Sequence, residues 1–185
     1  MATKKYEFVE GDTITIAPGR TVKRIRALIA NAAFGVAPGE LGGYVECEAN
    51  LSQVYGNAWV SGNARVYGDA LVYGNARVYG NARVYGDAWV YGDAWVYGDA
   101  RVYGDADLLM VGPIGSRKAM LTIHTDVKIG VRFTTGCFSG SRDDFYAAIT
   151  KTHGDTEHGN VYAAALMLAD IVVKPFAAEA EKAAA

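Results

Sequence analysis

Residues 54–107 read VYGNAW-VSGNAR-VYGDAL-VYGNAR-VYGNAR-VYGDAW-VYGDAW-VYGDAR-VYGDAD. One six-residue unit, V-Y-G-(N/D)-A-x, repeats nine times without interruption, and Ser61 is the one departure at the tyrosine position. An aliphatic residue recurs every six positions from Val54 to Leu108, and glycine does so from Gly56 to Gly104. Self-similarity at a short, fixed period is the signature of a repeat architecture, so this stretch decides the fold.

Each unit combines a short strand with a corner. In the segment A-x-V, alternation along a strand points Ala and Val to one side and the residue between them to the other. The following Gly accepts any φ, and Asn or Asp tolerates the left-handed region better than other residues, so G-(N/D) suits a corner. A strand and a corner every six residues predict a solenoid with a narrow interior of Val and Ala.

This pattern resembles the hexapeptide-repeat, left-handed parallel β-helix, in which three hexads form one triangular coil of 18 residues. The resemblance implies a mainly β protein with about three regular coils in residues 54–107. We predict that residues 1–53 form an N-terminal β cap with a degenerate first coil at YVECEANLSQ, and that residues 54–111 form the left-handed β-helix. Residues 112–185 then form a small C-terminal ββαα domain.

The outward position before each valine should form three ladders of stacked side chains, because residues 18 apart share a face. The first ladder is Trp59, Arg77 and Trp95, the second is Arg65, Arg83 and Arg101, and the third is Leu71, Trp89 and Asp107. The position after each valine adds tyrosines, among them Tyr79 and Tyr97 beside the first ladder. Trp, Tyr and Arg dominate interface hot spots, and monomers rarely expose so much aromatic surface.

These ladders have three interpretations. The aromatic rings shield the sheet while neighbouring aspartates neutralise the arginines, or the ladders are buried between subunits, as in trimers of this fold, or they bind a ligand. Aromatic faces beside arginine suit a nucleotide, since the ring stacks on the base and the guanidinium binds the phosphate. We therefore predict a homo-oligomer, most simply a trimer, and a binding surface made of the ladder arginines and tryptophans with Tyr79 and Tyr97.

Composition excludes several classes of partner. Eighteen Lys and Arg against twenty Asp and Glu give a net charge of −2, without the basic excess that duplex nucleic acid or an anionic membrane requires. The sequence has no apolar run long enough for a membrane span and no signal peptide at its start, so a cytoplasmic protein is expected. Two cysteines are too few for a disulfide framework or a closed zinc site, and we expect neither a metal nor a cofactor.

The turn TTGCFSGSR, residues 134–142, is a second candidate site. Ser141 and Asp144 form a capping box that predicts a helix over residues 142–152. The start of that helix could hold an anion with Thr135, Ser139, Ser141 and Arg142.

The same turn contains Cys137, and His124 lies on the preceding predicted strand. A thiolate near a helix start, with a histidine beside it, could act as a nucleophile pair. The alternative is a small structural residue buried under the helix, and we assign no catalytic residue.

The flanking segments carry a second resemblance. RIRAL (24–28), LGGYVECEANLS (41–52), the VYGNA repeats, GCFSGSRDDF (136–145) and THGD (152–155) are similar to a family of phage and prophage proteins in which these blocks occur in this order. The match extends over nearly the whole chain. The family is commonly labelled a transferase on account of the repeats, although a fold does not fix a function.

Three functions follow as hypotheses. The first is a phage-encoded, non-enzymatic binding protein in the host cytoplasm that blocks a host process such as antiviral defence, by sequestering a nucleotide-like signal or by occluding a host protein. The second is an acyltransferase of the hexapeptide class that uses coenzyme A. Such enzymes generally take their base from a histidine on a coil or an inserted loop, whereas His124, His153 and His158 all lie beyond the repeat. The third is a structural protein of the virion.

Overall fold

The computed structural model describes residues 4–104 and 107–175. Asp105 and Ala106 of the ninth hexad lie outside the described residues, as do the two ends of the chain. The N-terminal part contains β1 (Tyr6–Ala17), β2 (Arg20–Ala27), β3 (Leu41–Val45) and a 3-10 helix at Glu48–Asn50. Eight two-residue strands follow: β4 (Trp59–Val60), β5 (Arg65–Val66), β6 (Leu71–Val72), β7 (Arg77–Val78), β8 (Arg83–Val84), β9 (Trp89–Val90), β10 (Trp95–Val96) and β11 (Arg101–Val102).

The short strands form a β-solenoid of about three turns, as the repeat predicts. Residues 18 apart pair in parallel, so β4, β7 and β10 form a first face, β5, β8 and β11 a second, and β6 and β9 a third. The valines of these strands and the alanines that precede the strands are buried, with Val60, Val78 and Val96 fully inaccessible. The 18-residue period and the inward orientation of Ala and Val are therefore confirmed.

The segment YVECEANLSQ forms the degenerate first coil. Val45 pairs with Val66, and Leu51 pairs with Val72, in both cases 21 residues further along the chain instead of 18. Both side chains are fully buried beneath their partners. The first coil therefore enters the stack three residues out of register with the repeat.

Val54, which the repeat predicts as the first inward aliphatic residue, is 60% exposed, and that prediction is wrong. Leu51 occupies the inward place instead. The cause is Asn50, whose buried amide donates to the carbonyls of Gly68 and Ala70 at 2.8 Å each and fixes the preceding 3-10 turn. With Leu51 held inward, the next three residues leave the coil.

The N-terminal segment caps one open end of the solenoid. β1 and β2 form an antiparallel hairpin, and β2 pairs with β3, so the hairpin extends the sheet of the second face. Tyr6 and Ile25 are buried in the solenoid core cluster. β1 is one strand with an irregularity between Phe8 and Thr13, and β2 supplies the pairing on both sides of it.

The C-terminal part is a sheet covered by two helices. The strands β12 (Leu108–Ile114), β13 (Ala119–Asp126), β14 (Gly130–Thr135) and β15 (Phe138–Gly140) form an antiparallel meander. The helices are α1 (Arg142–His153) and α2 (Glu157–Val172). The two predicted strands correspond to β13 and β14. The sheet gains β12, which Leu108 begins, and the short β15.

This sheet closes the other end of the solenoid. Ala100 forms a bridge with Asp126, and the Thr125 hydroxyl donates to the carbonyl of Arg101. Leu108 and Met110 pack against the solenoid core. Neither helix of the described ranges is long and apolar enough to cross a membrane.

A matched pair of corner glycines tests the stacking of the coils. Gly74 has φ +70°, and an added Cβ would lie 3.0 Å from the Gly92 nitrogen. Gly92 has φ +61°, but a Cβ there would meet nothing within 4 Å. We expect Gly92→Ala to cost about 1–2 kcal/mol from backbone conformation alone, and Gly74→Ala about 2–4 kcal/mol because overpacking is added. Urea unfolding measures both, and equal losses would contradict the stacked corners.

Candidate functional site

The N-terminal cap covers one end of the first face. Trp59 is only 3% exposed and belongs to the solenoid core cluster, so it is out of reach of a ligand. The Arg77 guanidinium lies 5.2 Å from the Phe34 ring and 4.8 Å from the Tyr79 ring. These cation–π contacts engage Arg77 within the protein.

The second face carries the predicted arginine ladder in the expected register. Arg65 pairs with Arg83, and Arg83 pairs with Arg101. Arg101 donates from Nη1 to the carbonyl of Ala100 at 2.9 Å and to that of Asn81 at 3.3 Å. Protein groups therefore bind the last guanidinium of this ladder.

The cap hairpin covers two of the three tyrosines of the second face, and Tyr103 stays 45% exposed. The Tyr67 and Tyr85 rings stack at 5.0 Å and are buried in a cluster with Val22 and Tyr44. Tyr67 and Tyr85 thus serve packing, which is the first of the three interpretations given for the ladders.

The third face stays exposed. Trp89 is 52% exposed and Tyr91 is 44% exposed, and the Tyr73 and Tyr91 rings stack at 5.4 Å. Tyr55, at the start of the same face, is 77% exposed.

The C-terminal sheet covers the other end of the first face. The Tyr79 and Tyr97 rings stack at 4.7 Å, and the Thr134 hydroxyl is 3.3 Å from the Tyr97 hydroxyl. The Arg132 guanidinium lies 5.5 Å from the Tyr97 ring. Tyr97 therefore joins the two parts of the molecule.

Next to this junction is a cleft of about 430 Å³, here called the Trp95 cleft. This volume lies in the range of small-molecule sites, roughly 300–1,000 Å³. Its functional groups come from the solenoid and from the sheet: Asp93, Trp95, Lys118, Thr122, Thr134 and Thr135.

The cleft combines three kinds of group. The Trp95 ring is partly exposed and offers a planar apolar surface. Lys118, held in a turn with φ +48°, supplies one positive charge, and Asp93 supplies one negative charge. Thr122 and Thr134 are buried and hydrogen-bonded to the Trp95 backbone N–H and the Tyr97 hydroxyl, whereas Thr135 is partly exposed. A threonine hydroxyl can both donate and accept hydrogen bonds. This arrangement can stack a planar ring, bind polar substituents and pair with a single anionic group.

The sequence singled out Trp95 and Thr135 but missed the other polar groups of the cleft. Lys118, Thr122 and Thr134 come from the sheet and meet Trp95 only where the sheet docks on the solenoid. A signal was present in the alternation of β13, which places Thr122 on the side of the sheet opposite Leu121 and Ile123, both buried beneath the helices.

In the turn TTGCFSGSR, three of the four side chains expected to bind an anion, Ser139, Ser141 and Arg142, are engaged within the protein, and the fourth, Thr135, lines the Trp95 cleft. Arg142 forms a two-pronged ion pair with Asp170, at 2.8 and 2.6 Å. The capping box predicted from Ser141 and Asp144 is confirmed, and hydrogen bonds from Ser141 hold the pKa of Asp144 below its usual range. The Ser139 hydroxyl accepts from Arg132 at 3.1 Å.

His124 and Cys137 are not brought together. Strand register places His124 opposite Arg132, whereas Cys137 lies beyond the end of β14. His124 is fully buried, and Cys137 is exposed, so Cys137 is also not the buried residue of the alternative interpretation. Cys137 lines a separate cleft of about 260 Å³ with Arg117 and His153.

His124 is a buried neutral imidazole at the junction. Its Nδ1 is 3.0 Å from the carbonyl of Thr125, and its Nε2 has no hydrogen-bond partner among the described residues. Burial lowers the pKa of His124 to about 4, although the Thr125 carbonyl and the Asp126 carboxylate act in the opposite direction.

This pKa predicts loss of stability in mild acid. An unfolded histidine titrates near 6.5, so protons bind the unfolded chain first as the pH falls. The contribution of His124 is complete above about pH 6.5 and is lost towards pH 4, by roughly 3 kcal/mol at most. We expect the free energy of unfolding to fall more between pH 7 and pH 4.5 in the wild type than in His124→Phe, measured by urea unfolding.

A neighbouring group titrates in a different window and serves as the internal control. Burial acts to raise the pKa of Asp126, but hydrogen bonds from Arg132 and from two backbone N–H groups outweigh it and keep the pKa below its usual range. Its contribution is therefore lost only as the pH falls below about 4. Identical losses in wild type and His124→Phe above that pH would contradict a buried neutral His124.

Comparison with known proteins identifies the repeat. Four overlapping segments, residues 52–66, 58–74, 64–77 and 76–92, match the YdcK beta solenoid repeat. No curated protein and no solved structure gives a significant match. The matched segments lie within residues 52–92, less than a quarter of the chain, so the similarity concerns the solenoid alone. The chain thus contains a β-solenoid similar to the YdcK beta solenoid repeat, with an N-terminal cap and a C-terminal sheet-and-helix unit of its own.

Proposed function

We propose that this protein is a non-enzymatic binding protein that holds a nucleoside or mononucleotide in the Trp95 cleft. The observation that carries the proposal is the convergence of the Trp95 ring, the Lys118 ammonium and the Thr135 side chain in one cleft of about 430 Å³. Two predicted binding residues, Trp95 and Thr135, meet in this cleft although 40 positions separate them in the sequence.

Stacking supplies the first part of the recognition. Every nucleobase has a π face, and stacking on an aromatic side chain contributes about 1–3 kcal/mol per base. Asp93 can accept hydrogen bonds from ribose hydroxyls or from an exocyclic amine, and the hydroxyl of the partly exposed Thr135 can pair with a base edge.

Charge limits the ligand. The charged side chains that line the cleft are one cation, Lys118, and one carboxylate, Asp93. One ammonium can pair with a single phosphate, whereas a triphosphate would bring several negative charges close to the Asp93 carboxylate. The charge balance therefore favours a nucleoside or a monophosphate.

The placement of the histidines supports binding without turnover. No histidine is among the residues that line the Trp95 cleft, and His124 next to it is fully buried. An acyltransferase using coenzyme A needs a base that reaches its acceptor. The geometry therefore favours a binding protein over this alternative.

The biological role that we propose is capture of a nucleotide-like signal in the host cytoplasm by a phage-encoded protein, which would block a host process such as antiviral defence. Its support is the resemblance of the flanking blocks, from RIRAL to GCFSGSRDDF, to phage and prophage proteins. A role in the virion rests on the same resemblance, whereas the left-handed sense of the coils rests on the resemblance of the repeat to the hexapeptide-repeat β-helix.

Titration calorimetry with the four common ribonucleoside 5′-monophosphates, the parent nucleosides and the corresponding 5′-triphosphates tests the ligand class. We expect saturable one-site binding of at least one monophosphate, and binding of the corresponding triphosphate that is weaker by at least about tenfold. Absence of binding by all the nucleosides and monophosphates would overturn the proposal.

A second candidate function has its own observation. The third face exposes Trp89, Tyr91 and Tyr55, residue types that dominate protein interfaces, and could occlude a host protein. The predicted trimer would assemble on this face as well, because parts of the other two are covered. A photo-crosslinker at position 91 distinguishes the two uses. A crosslink to a host protein that disappears in Trp89→Ala supports occlusion, whereas a crosslink to a second copy of the chain supports the trimer.

A further inference from the structure

The outer side of α2 carries an apolar stripe that nothing in the described structure covers. Val161 is 37% exposed, Leu168 43% and Ile171 71%, and Ala164 lies between them on the same side. Met167, 67% exposed, flanks the stripe. The stripe extends over most of a 16-residue helix, about 24 Å long.

The opposite side of α2 is already used. Tyr162, Ala165, Leu166 and Ala169 are buried in the C-terminal core cluster against the sheet and α1. A helix that is apolar on all sides is typical of a buried helix, and contiguous exposed apolar surface marks an interaction site. The outer stripe is therefore unexplained by the folding of one chain.

The spacing of the stripe has the pattern of a helix–helix seam. Val161, Ala164, Leu168 and Ile171 are separated by three, four and three residues, the alternation found at the a and d positions of coiled coils. We propose that α2 binds α2 of a second copy of this chain, antiparallel and related by a twofold axis. This interface goes beyond the proposed function and does not depend on it.

Antiparallel pairing makes the stripe complementary to itself. When the two helices are centred on residue 166, Val161 lies opposite the partner subunit's Ile171, and Ala164 lies opposite the partner subunit's Leu168. Small residues thus face large ones, which lets the helices approach closely and interdigitate. A twofold interface repeats each contact, as closed dimers require.

Charge at the two ends of the stripe fixes this orientation. Glu157 lies one turn before Val161 on the same side of the helix. Lys174 lies just beyond the end of α2, and its ammonium donates to the carbonyl of Ile171 at 2.9 Å, so its charge sits at the C-terminal end of the helix. In the antiparallel arrangement, Glu157 at the start of one α2 lies near the C-terminal end of the partner subunit's α2, which carries Lys174. A parallel arrangement would instead place like charges together.

Neighbouring surface widens the interface. The ion pair of Arg142 with Asp170 aligns α1 with α2, and Tyr146 and Met167 each lie about one turn from it. Tyr146 is 57% exposed.

The C-terminal residues of the chain itself are a poorer occupant. Residues 176–185 read FAAEAEKAAA, in which Phe176 is the single large apolar residue. A second copy offers Val, Leu, Ile and Met at matched spacing, so the stripe fits another α2 better than it fits this segment.

Sedimentation velocity of the full chain across a range of micromolar concentrations tests the interface. We expect a dimer whose dissociation constant rises at least about tenfold in Ile171→Glu, since the substitution places a carboxylate in the seam. Ile171 is 71% exposed, so the fold should be retained, which near-UV circular dichroism checks. The control is Leu41→Glu, at a 52% exposed position in the N-terminal cap, which should leave the dimer unchanged.

A charge swap tests the orientation. Glu157→Lys and Lys174→Glu should each weaken the dimer, and the double variant should restore it. A monomeric wild type, a dimer indifferent to Ile171→Glu, or an assembly lost in Trp89→Ala would overturn the proposal. It would equally be overturned if removal of residues 176–185 converted a monomer into a dimer, because that segment would then cover the stripe.

Discussion

A Val78→Asp variant is expected not to reach the native fold, whereas Val54→Asp should fold with nearly wild-type stability. Val78 is fully buried in the middle coil, paired with Val60 on one side and Val96 on the other. A carboxylate there would be desolvated among Val and Ala side chains with no partner, at a cost of several kcal/mol. Val54 is 60% exposed, so the same substitution places the carboxylate in water.

This pair tests the register of the first coil because the two valines occupy equivalent places in the repeat. Far-UV circular dichroism and urea unfolding measure the outcome. If Val78→Asp cannot be purified, Val78→Ala provides a measurable free energy of unfolding, which we expect to be about 1–3 kcal/mol below that of the wild type. Equal destabilisation of Val54→Asp and Val78→Asp would show that Val54 is inside the solenoid and that Leu51 does not replace it.

Trp95→Ala is expected to lower the affinity for a mononucleotide by about 5- to 150-fold, the equivalent of 1–3 kcal/mol of base stacking. Trp89→Ala is the matched control, since Trp89 is a partly exposed ladder residue on a different face. Its affinity should equal that of the wild type. Titration calorimetry measures both, with urea unfolding to confirm that each variant is folded.

Lys118→Ala separates stacking from charge in the same cleft. Without the ammonium, affinity for a nucleoside 5′-monophosphate should fall towards that for the parent nucleoside, and affinity for the nucleoside should hardly change. Equal effects of Trp95→Ala and Trp89→Ala, or indifference to Lys118→Ala with a monophosphate, would contradict binding in the Trp95 cleft.

The solenoid could be predicted from the sequence because its structure is as periodic as its residues. The inward Ala and Val, the corners at Gly and the three ladders follow from a strand of alternating side chains and an 18-residue coil. The predicted register was wrong at Val54. There the periodic pattern is interrupted by the preceding Asn50, whose buried side chain forms specific hydrogen bonds to Gly68 and Ala70. Such a local bond leaves no periodic signal.

The candidate site could be predicted only in part. The position in the ladder predicted both Trp95 and Trp59 as outward aromatic residues. In the structure the two differ, because the N-terminal cap buries Trp59, whereas Trp95 lines a cleft. That difference depends on how the flanking segments dock on the solenoid. Lys118 and Thr122 join the site for the same reason, through contacts between segments distant in sequence.

The most direct test of the central claim is native mass spectrometry of the protein purified gently from phage-infected cells. The account predicts a chain, or a pair of chains, that carries an additional non-covalent mass of a few hundred daltons, and it predicts that Trp95→Ala loses this mass while Trp89→Ala retains it. A bare protein that also fails to take up added mononucleotides, or an added mass that Trp95→Ala retains, would contradict the assignment of the Trp95 cleft as the binding site.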